Sequence, residues 1–188
     1  MGLEVLEFTL AVEEAFNVRF PNEDMPAIKT PRKLVDYLAA HLPLSDSDYC
    51  LSQRAFYRLR YFFSARIECQ RSEIRPDTSL TGLVRAEEAK SVWEAVRRDM
   101  GATTAKRWPR LADQGWFDLF RPPSITTLRE AVSLVANYHP LLLKSSGDGW
   151  TRNQVTAVVH GLMGCEFGIN TNHEEYDEDL TWNELGFY

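Results

Sequence analysis

Apolar residues in the first sixteen positions recur at intervals of three and four, which is the spacing of an amphipathic helix. The pattern predicts a helix over residues 3–16 whose outer face carries glutamates. Its predicted buried stripe consists of Leu3, Leu6, Leu10 and Phe16, joined by Val5, Phe8 and Val12.

The next segment contains prolines that predict a break before a second helix. Pro21 stops the preceding stretch, and residues 22–28 are long enough for only a turn or two of helix. Thr30 followed by Pro31 is typical of an N-cap with proline at the first helical position. The helix predicted to begin there, and to end near residue 42, buries Leu34, Val35, Leu38 and Leu42.

Three further helices are predicted in the middle of the chain. The first covers residues 52–67, with its arginines facing water and an inner face of Phe56, Leu59, Phe63 and Ile67. The second covers residues 87–99, and Gly101 is placed to end it. The third covers residues 124–138, after an irregular stretch that is rich in aromatic residues.

The last part of the chain predicts a linker, a helix and an acidic tail. Residues 145–149 read SSGDG, which is typical of a linker, and a helix opens at Trp150 or Thr151 and ends near Cys165. Alternation of apolar and polar residues never continues beyond four positions in the whole sequence, so no strands are predicted. The predicted fold class is therefore all-α.

Composition is that of a globular protein with a buried core. The chain has 188 residues, enough for one ordinary domain or two small ones, and 44% of them are hydrophobic. No run approaches the ~20 apolar residues that cross a bilayer, and acidic residues stand where a secretion signal has basic ones, so we expect a cytoplasmic protein. Cys50, Cys69 and Cys165 lack paired spacing and neighbouring histidines, which predicts buried free thiols.

The net charge of −6 conceals an uneven distribution of charged side chains. Residues 50–110 hold 13 basic and 7 acidic side chains, a net charge of +6. Residues 1–49 hold 4 basic and 9 acidic side chains, and residues 111–188 hold 4 and 11, so these two segments together carry −12. The two ends of the chain therefore share an acidic character that the middle does not have.

Residues 2–42 combine features that are individually common but specific in this order. A long acidic helix leads through a turn at Pro21 and the acidic pair Glu23 and Asp24 into a helix that is capped by Thr30. This arrangement resembles helices two to four of acyl carrier proteins. The local sequence, LEVLEFTLAVEEAFNVRFPNEDMPAIKTPRKLVDYLAAHL, is also similar to that family.

In that family a first helix and a long loop precede helix two, and their counterparts are found at the other end of this chain. Residues 150–165 resemble the first helix and residues 174–188 the loop, with Leu185 and Gly186 in the place of the family's Leu-Gly. The resemblance implies one bundle split between the chain termini, residues 1–44 plus 145–188, either permuted within one chain or swapped between two. A bundle tolerates such an arrangement because it needs its apolar stripes brought together, not a particular chain order.

Residues 50–143 resemble a second, degenerate acyl-carrier-like bundle, inserted into the first and in the normal order. Helices at 55–67, 87–99 and 124–138 take the places of helices one, two and four, and the string PDTSL lies in the loop. The family's Asp-Ser-Leu triplet is replaced by residues near Ala86, Glu87 and Glu88. A generic helical bundle accounts for the same pattern, and both interpretations stay open.

Carrier proteins hold phosphopantetheine on a serine at the start of helix two, where the helix dipole and free N–H groups suit a phosphate. The resemblance places Gly2, or Met1, at that position, and neither residue has a hydroxyl. Gly2 is therefore interpreted as a vestigial attachment position, and no cofactor is expected. No catalytic residue or metal site is predicted either, since no catalytic or metal-binding motif contains His41, His139, His160 or His173.

The resemblance implies a protein that is not an enzyme and that acts through protein contacts. In the family the acidic face of helix two meets basic patches on partner proteins, which here implies partner-binding residues Glu4, Glu7, Glu13 and Glu14. A swapped homodimer is a second implied association, and no membrane partner is expected.

Two alternatives stay open at this point. One is a functional acyl carrier protein that uses another serine or a longer N-terminal segment. The other is a nucleic-acid-binding helical protein whose basic surface lies within residues 54–110. Nucleic acid is not the expected partner, because the arginines of that region alternate with aromatic residues that a bundle core explains without a ligand.

Overall fold

A computed structural model describes residues 3–112 and 124–186, and helices dominate this part of the chain. The helices are α1 (Leu3–Phe16), α2 (Pro31–His41), α3 (Leu51–Ser64), α4 (Leu80–Leu83), α5 (Ala86–Asp99), α6 (Leu128–Tyr138) and α7 (Arg152–Phe167). Short 3₁₀ turns lie at Met25–Ala27 and Pro140–Leu143. The chain divides into two compact units, a terminal unit of Met1–Tyr49 with Lys144–Tyr188 and a central unit of Cys50–Leu143.

In the terminal unit, α1 and α2 both pack against α7. The Thr151 hydroxyl caps α7 by accepting a hydrogen bond from the Gln154 backbone N–H at 3.1 Å, and Gly168 ends the helix at a φ of 70°. Phe8 packs against Phe167 with 5.1 Å between ring centroids. The core around these contacts includes Val12, Phe16, Val35, Leu38, Val155, Val159, Leu162 and Met163.

The two chain segments of the terminal unit meet where Leu44 forms a parallel bridge with Trp150. The Trp150 N–H donates to the Pro43 carbonyl at 2.6 Å, and the Ser45 N–H donates to the Trp150 carbonyl at 2.9 Å. We call these contacts the junction. The Lys144 ammonium lies 4.4 Å from the centroid of the Trp150 ring and so adds a cation–π contact beside them.

In the central unit, α3 packs against α5 and α6. Thr127 caps α6 in a reciprocal capping box with Glu130. The indole N–H of Trp93 donates to the Pro109 carbonyl at 2.7 Å, which satisfies a buried donor next to Trp108. The core of this unit includes Leu59, Phe63, Val96, Ile125, Leu128 and Val135.

The central unit also holds two strands that the sequence did not predict. β1 (Arg110–Leu111) and β2 (Ser124–Ile125) form a parallel pair, in which Leu111 lies opposite Ile125. Strands of two residues show no alternation, so their pairing could not be recognised from sequence. The described chain is mostly helical, and the all-α prediction is wrong at this pair. The predicted start of a helix at residue 124 is also wrong, since α6 begins at Leu128.

None of the three cysteines forms a disulfide, as predicted, but they are not buried. Cys50 and Cys165 are exposed, and Cys69 is partly exposed. The Cys69 thiol donates to the Glu73 carboxylate at 3.1 Å, and this hydrogen bond raises the pKa of Cys69. The burial prediction was wrong because only Cys165 lies within a helix, on the side of α7 that faces outward, while Cys50 precedes α3 and Cys69 lies in the loop after it.

Candidate protein-binding face and adjoining cavity

Exposed carboxylates and exposed leucines lie side by side along the outer side of α1. Glu4, Glu7 and Glu14 are exposed. Next to them Leu6 and Leu10, one helical turn apart, keep 49% and 47% of their surfaces exposed. We call this pair of leucines the α1 ridge. Exposed leucines beside carboxylates are suited to a partner that has an apolar surface next to a basic one.

The prediction that Leu6 and Leu10 belong to the buried stripe of α1 is wrong. The buried side of the helix runs through Val5, Phe8 and Val12, and it also contains Ala11, Ala15 and Phe16. Alanines count little in a hydrophobicity pattern, yet they permit close helix packing, and here they decide which side of α1 faces the core. Because this side of α1 faces the core, the exposed glutamates and the two leucines face outward.

Glu13 differs from the other three glutamates that were predicted to bind a partner. Its side chain is only 13% exposed, and its carboxylate accepts a hydrogen bond from the Phe20 N–H at 2.7 Å. Asn17 turns the chain between them with a φ of 52°, in the left-handed region. Glu13 therefore fixes the end of α1, while the open part of the acidic face consists of Glu4, Glu7 and Glu14.

Gly2, the predicted vestigial attachment position, lies outside the described residues. The helix that follows it, α1, begins at Leu3 with Glu4 in its first turn. A glutamate in the first turn interacts favourably with the positive end of the helix dipole.

A cavity of about 410 Å³ lies on the inner side of α1 within the terminal unit. Its lining is mainly apolar, with Val5, Phe8, Val12, Phe20, Ile28, Leu34 and Trp182. Thr9 and Lys29 are polar members of the lining. The residues come from α1, from the turn before α2, from α2 itself and from the C-terminal tail, so no single stretch of sequence indicates the cavity.

The tail reaches this cavity through Trp182. The indole N–H donates to the Ile28 carbonyl at 2.8 Å, and the Trp182 backbone N–H donates to the Lys29 carbonyl at 3.1 Å. The indole ring also packs against Phe8, with 5.5 Å between centroids. One tryptophan thus joins the last part of the sequence to α1 and to the turn before α2.

Arg32 makes a second connection between the tail and the start of α2. Its guanidinium contacts the carboxylates of Asp179 at 2.6 Å and Glu178 at 2.7 Å, and its backbone N–H donates to the Glu178 carbonyl at 3.0 Å. The hydrogen bond to Asp179 is the main reason that the pKa of Arg32 is raised. Because these side chains are substantially exposed, the ion pairs orient the tail more than they stabilise it.

The residues that make these tail contacts could not be identified from the sequence. The available signal was the position of Trp182 within an acidic, helix-free segment, since a large aromatic residue there needs an apolar partner. The partner segment contains Ile28, which is 154 residues away along the chain. Local patterns carry no information on such a pairing.

His160 and Tyr176 form a partly buried polar pair in the terminal unit. The Tyr176 hydroxyl lies 3.3 Å from His160 Nε2. Burial lowers the pKa of His160 below 6.5, although nearby Glu178 opposes the shift. Burial, together with Glu178 and Asp177, raises the pKa of Tyr176 to about 12.

Acidification is therefore expected to destabilise the terminal unit through His160. The unfolded chain takes up a proton at a pH near 6.5, before the folded chain does, so the free energy of unfolding falls as the pH drops from that value towards the folded pKa. Urea unfolding at pH 7.5 and 5.5 measures the loss, and the variant His160→Gln should lose less. An NMR titration that gives His160 a higher pKa in the folded than in the urea-unfolded chain would contradict the expectation.

Other site types find little support in residues 3–112 and 124–186. No group of three or more histidine, cysteine, aspartate or glutamate side chains in these ranges is arranged to hold a metal ion. None of the helices described there is long and apolar enough to cross a membrane.

Comparison with known proteins shows a partial similarity to an acyl carrier protein. The chain is 49% identical over 38 residues to an acyl carrier protein of Syntrophobacter fumaroxidans. The matched segment is 20% of this chain and 47% of that protein, so the chain spans about half the length of the curated relative it matches. No family model and no solved structure matches the chain. A short part of this mostly helical protein is thus similar to an acyl carrier protein, which confirms the predicted resemblance at that level.

Proposed function

We propose that this chain is a non-enzymatic, cytoplasmic acyl-carrier-like protein that lacks the phosphopantetheine serine and acts by binding another protein. The binding site is the acidic face of α1, and the partner carries a basic patch.

The exposed composition of α1 carries this proposal. Glu4, Glu7 and Glu14 lie beside a ridge of two leucines, each about half exposed. Covering the leucines removes apolar surface from water, and the carboxylates select partners of opposite charge. The terminal unit holds 6 basic and 17 acidic side chains, a net charge of −11, which attracts a basic surface over a longer range.

The contacts of the tail support an acyl-carrier-like bundle made from residues 1–44 plus 145–188. Trp182 and Arg32 tie the tail to the first two helices, and α7 packs against both of them. In the proposed arrangement these contacts lie within one chain, as in a permuted bundle. The central unit at 50–143 would then be an inserted bundle, degenerate with respect to the same family.

Glycine at position 2 is the reason to propose that the prosthetic group is absent, because glycine offers no hydroxyl for a phosphodiester. Incubation with a promiscuous phosphopantetheinyl transferase and coenzyme A tests this directly. We expect the intact mass to stay unchanged, while an acyl carrier protein treated in parallel gains the phosphopantetheine mass. A stoichiometric adduct on this chain would end the proposal and favour a functional carrier.

A charge-reversal pair tests the protein-binding part. Glu7→Lys with Glu14→Lys reverses the acidic face, whereas Glu174→Lys with Glu175→Lys reverses two exposed glutamates elsewhere in the terminal unit. Crosslinking in cells of the source organism, followed by mass spectrometry, should show protein partners that the first variant loses and the control retains. Equal crosslinking by the wild type and both variants would contradict a role for this face.

A further inference from the structure

The central unit carries a surface feature that matches the α1 ridge in spacing and size. On α3, Tyr57 and Tyr61 lie one helical turn apart and keep 51% and 52% of their surfaces exposed. We call this pair the α3 ridge. Residues four positions apart on a helix stand about 6 Å from each other, so both ridges present two apolar groups at the same interval.

The charges around the two ridges have opposite signs. The α1 ridge is bordered by the exposed carboxylates of Glu7 and Glu14. Around the α3 ridge, the guanidinium of Arg60 lies 5.1 Å from the Tyr57 ring centroid and that of Arg71 lies 4.9 Å from the Tyr61 centroid. The central unit holds 15 basic and 10 acidic side chains, a net charge of +5, against −11 in the terminal unit.

The two arginines beside the α3 ridge are already oriented before a partner binds, because each guanidinium is in contact with an aromatic ring. A guanidinium over a ring still has N–H groups at its edge that can bond a carboxylate. Tyrosine and arginine are also the residue types most enriched among energetically important positions of protein interfaces.

We propose that the α1 ridge of one copy of this chain docks against the α3 ridge of a second copy. The inference deepens the proposed function and rests on it, since it names the chain itself as a protein with the required basic patch. Leu6 and Leu10 pack against the two tyrosines, and Glu7 and Glu14 pair with the arginines beside them.

This contact is heterologous, because the surface used by one copy differs from the surface used by the next. Each bound copy leaves one ridge of each kind unused, so the contact repeats and produces open chains or a closed ring. Exposed ion pairs are weakened by salt, and the assembly should therefore shrink as the salt concentration rises.

Two ridge variants test the arrangement by sedimentation velocity over a range of protein concentrations. Leu6→Ser with Leu10→Ser removes the α1 ridge, and Tyr57→Ser with Tyr61→Ser removes the α3 ridge. The wild type should form concentration-dependent oligomers at low salt. Each variant alone should remain monomeric at concentrations where the wild type associates. The dissociation constant for self-association should be raised at least about tenfold. The control Leu141→Ser changes another exposed apolar residue and should behave as the wild type does.

A mixture of the two ridge variants gives the most specific result. One variant retains only the α3 ridge and the other only the α1 ridge, so together they should form heterodimers and nothing larger. Circular dichroism of each variant checks that the fold is retained. A swapped dimer would survive both substitutions, and a symmetric contact would survive one of them; either result overturns the proposal.

Nucleic acid is the competing occupant of the α3 ridge, since tyrosine and arginine also bind single strands by stacking and charge. Fluorescence anisotropy with a labelled single-stranded oligothymidylate measures this. The proposal is overturned if the wild-type chain stays monomeric and binds the oligonucleotide, and if this binding is lost when the two tyrosines are replaced. A monomeric wild type leaves the proposed function intact, because the transferase and crosslinking experiments do not depend on self-association.

Discussion

Replacing Gly149 with alanine is expected to destabilise the terminal unit by about 3 kcal/mol, the upper range for overpacking a tightly closed site. A Cβ atom at this position would lie 2.5 Å from the Leu44 carbonyl oxygen and 2.6 Å from the Leu44 carbonyl carbon. It would also lie 2.8 Å from the Pro43 carbonyl oxygen. All three atoms belong to the backbone, so no side-chain rotation relieves the contact. The two segments that form the junction must move apart.

Hydrogen exchange followed by mass spectrometry locates this effect. Exchange should accelerate in peptides from 1–49 and 144–188, because the hydrogen bonds of Trp150 to Pro43 and Ser45 depend on the close approach. Gly164→Ala is the matched control in the same unit, since its Cβ would only touch the Ile169 carbonyl oxygen at 3.4 Å and alanine favours the helix. Equal stability of the Gly149 variant and the wild type would show that the junction is loosely packed.

Sequence patterns were sufficient for α1, α2 and α7 because the signals that form them are local. α1 begins and ends where its apolar periodicity does, and Thr30 accepts a hydrogen bond from the Lys33 N–H at 3.2 Å as an N-cap should. Gly168 ends α7 in the left-handed conformation that glycine adopts easily. Each of these features lies within a single continuous segment of the sequence.

The contacts that distinguish this fold are not local, and the sequence did not predict them. The junction joins Leu44 to Trp150, and the strand pair joins Leu111 to Ile125. A bridge of one or two residues leaves no periodic pattern. Gly149 looks like an ordinary linker residue in SSGDG, and only the backbone that lies against it gives it a specific role.

The candidate site was predicted in part. The glutamates of α1 were found because an amphipathic helix must direct its charged residues outward. The two leucines beside them were assigned to the core, since a leucine in a helix is usually buried. Whether Leu6 or Ala11 faces the core depends on which helix packs against α1. That helix is α7, which comes from the far end of the chain.

Replacing Trp182 with alanine tests whether the tail belongs to the same folded module as the first helices. We expect a loss of about 2 kcal/mol in the stability of the terminal unit, below the range for a fully buried tryptophan because this one is only partly buried. The substitution removes the indole from Phe8 and leaves the Ile28 carbonyl without its donor. Urea unfolding gives the magnitude, and hydrogen exchange should become faster in peptides that contain residues 28–34.

The variant Trp182→Phe separates the two contributions of the side chain. It keeps an aromatic ring beside Phe8 but removes the hydrogen bond to Ile28 together with part of the ring surface, so a loss of about 1 kcal/mol is expected. If instead the alanine variant changes exchange in the tail alone, the tail lies on the surface without supporting α1 and α2. The bundle would then not extend to residues 170–186, and the split acyl-carrier-like arrangement would lose its main support. Faster exchange in both segments is what a single cooperative module requires, because breaking a contact between them exposes the backbone of each.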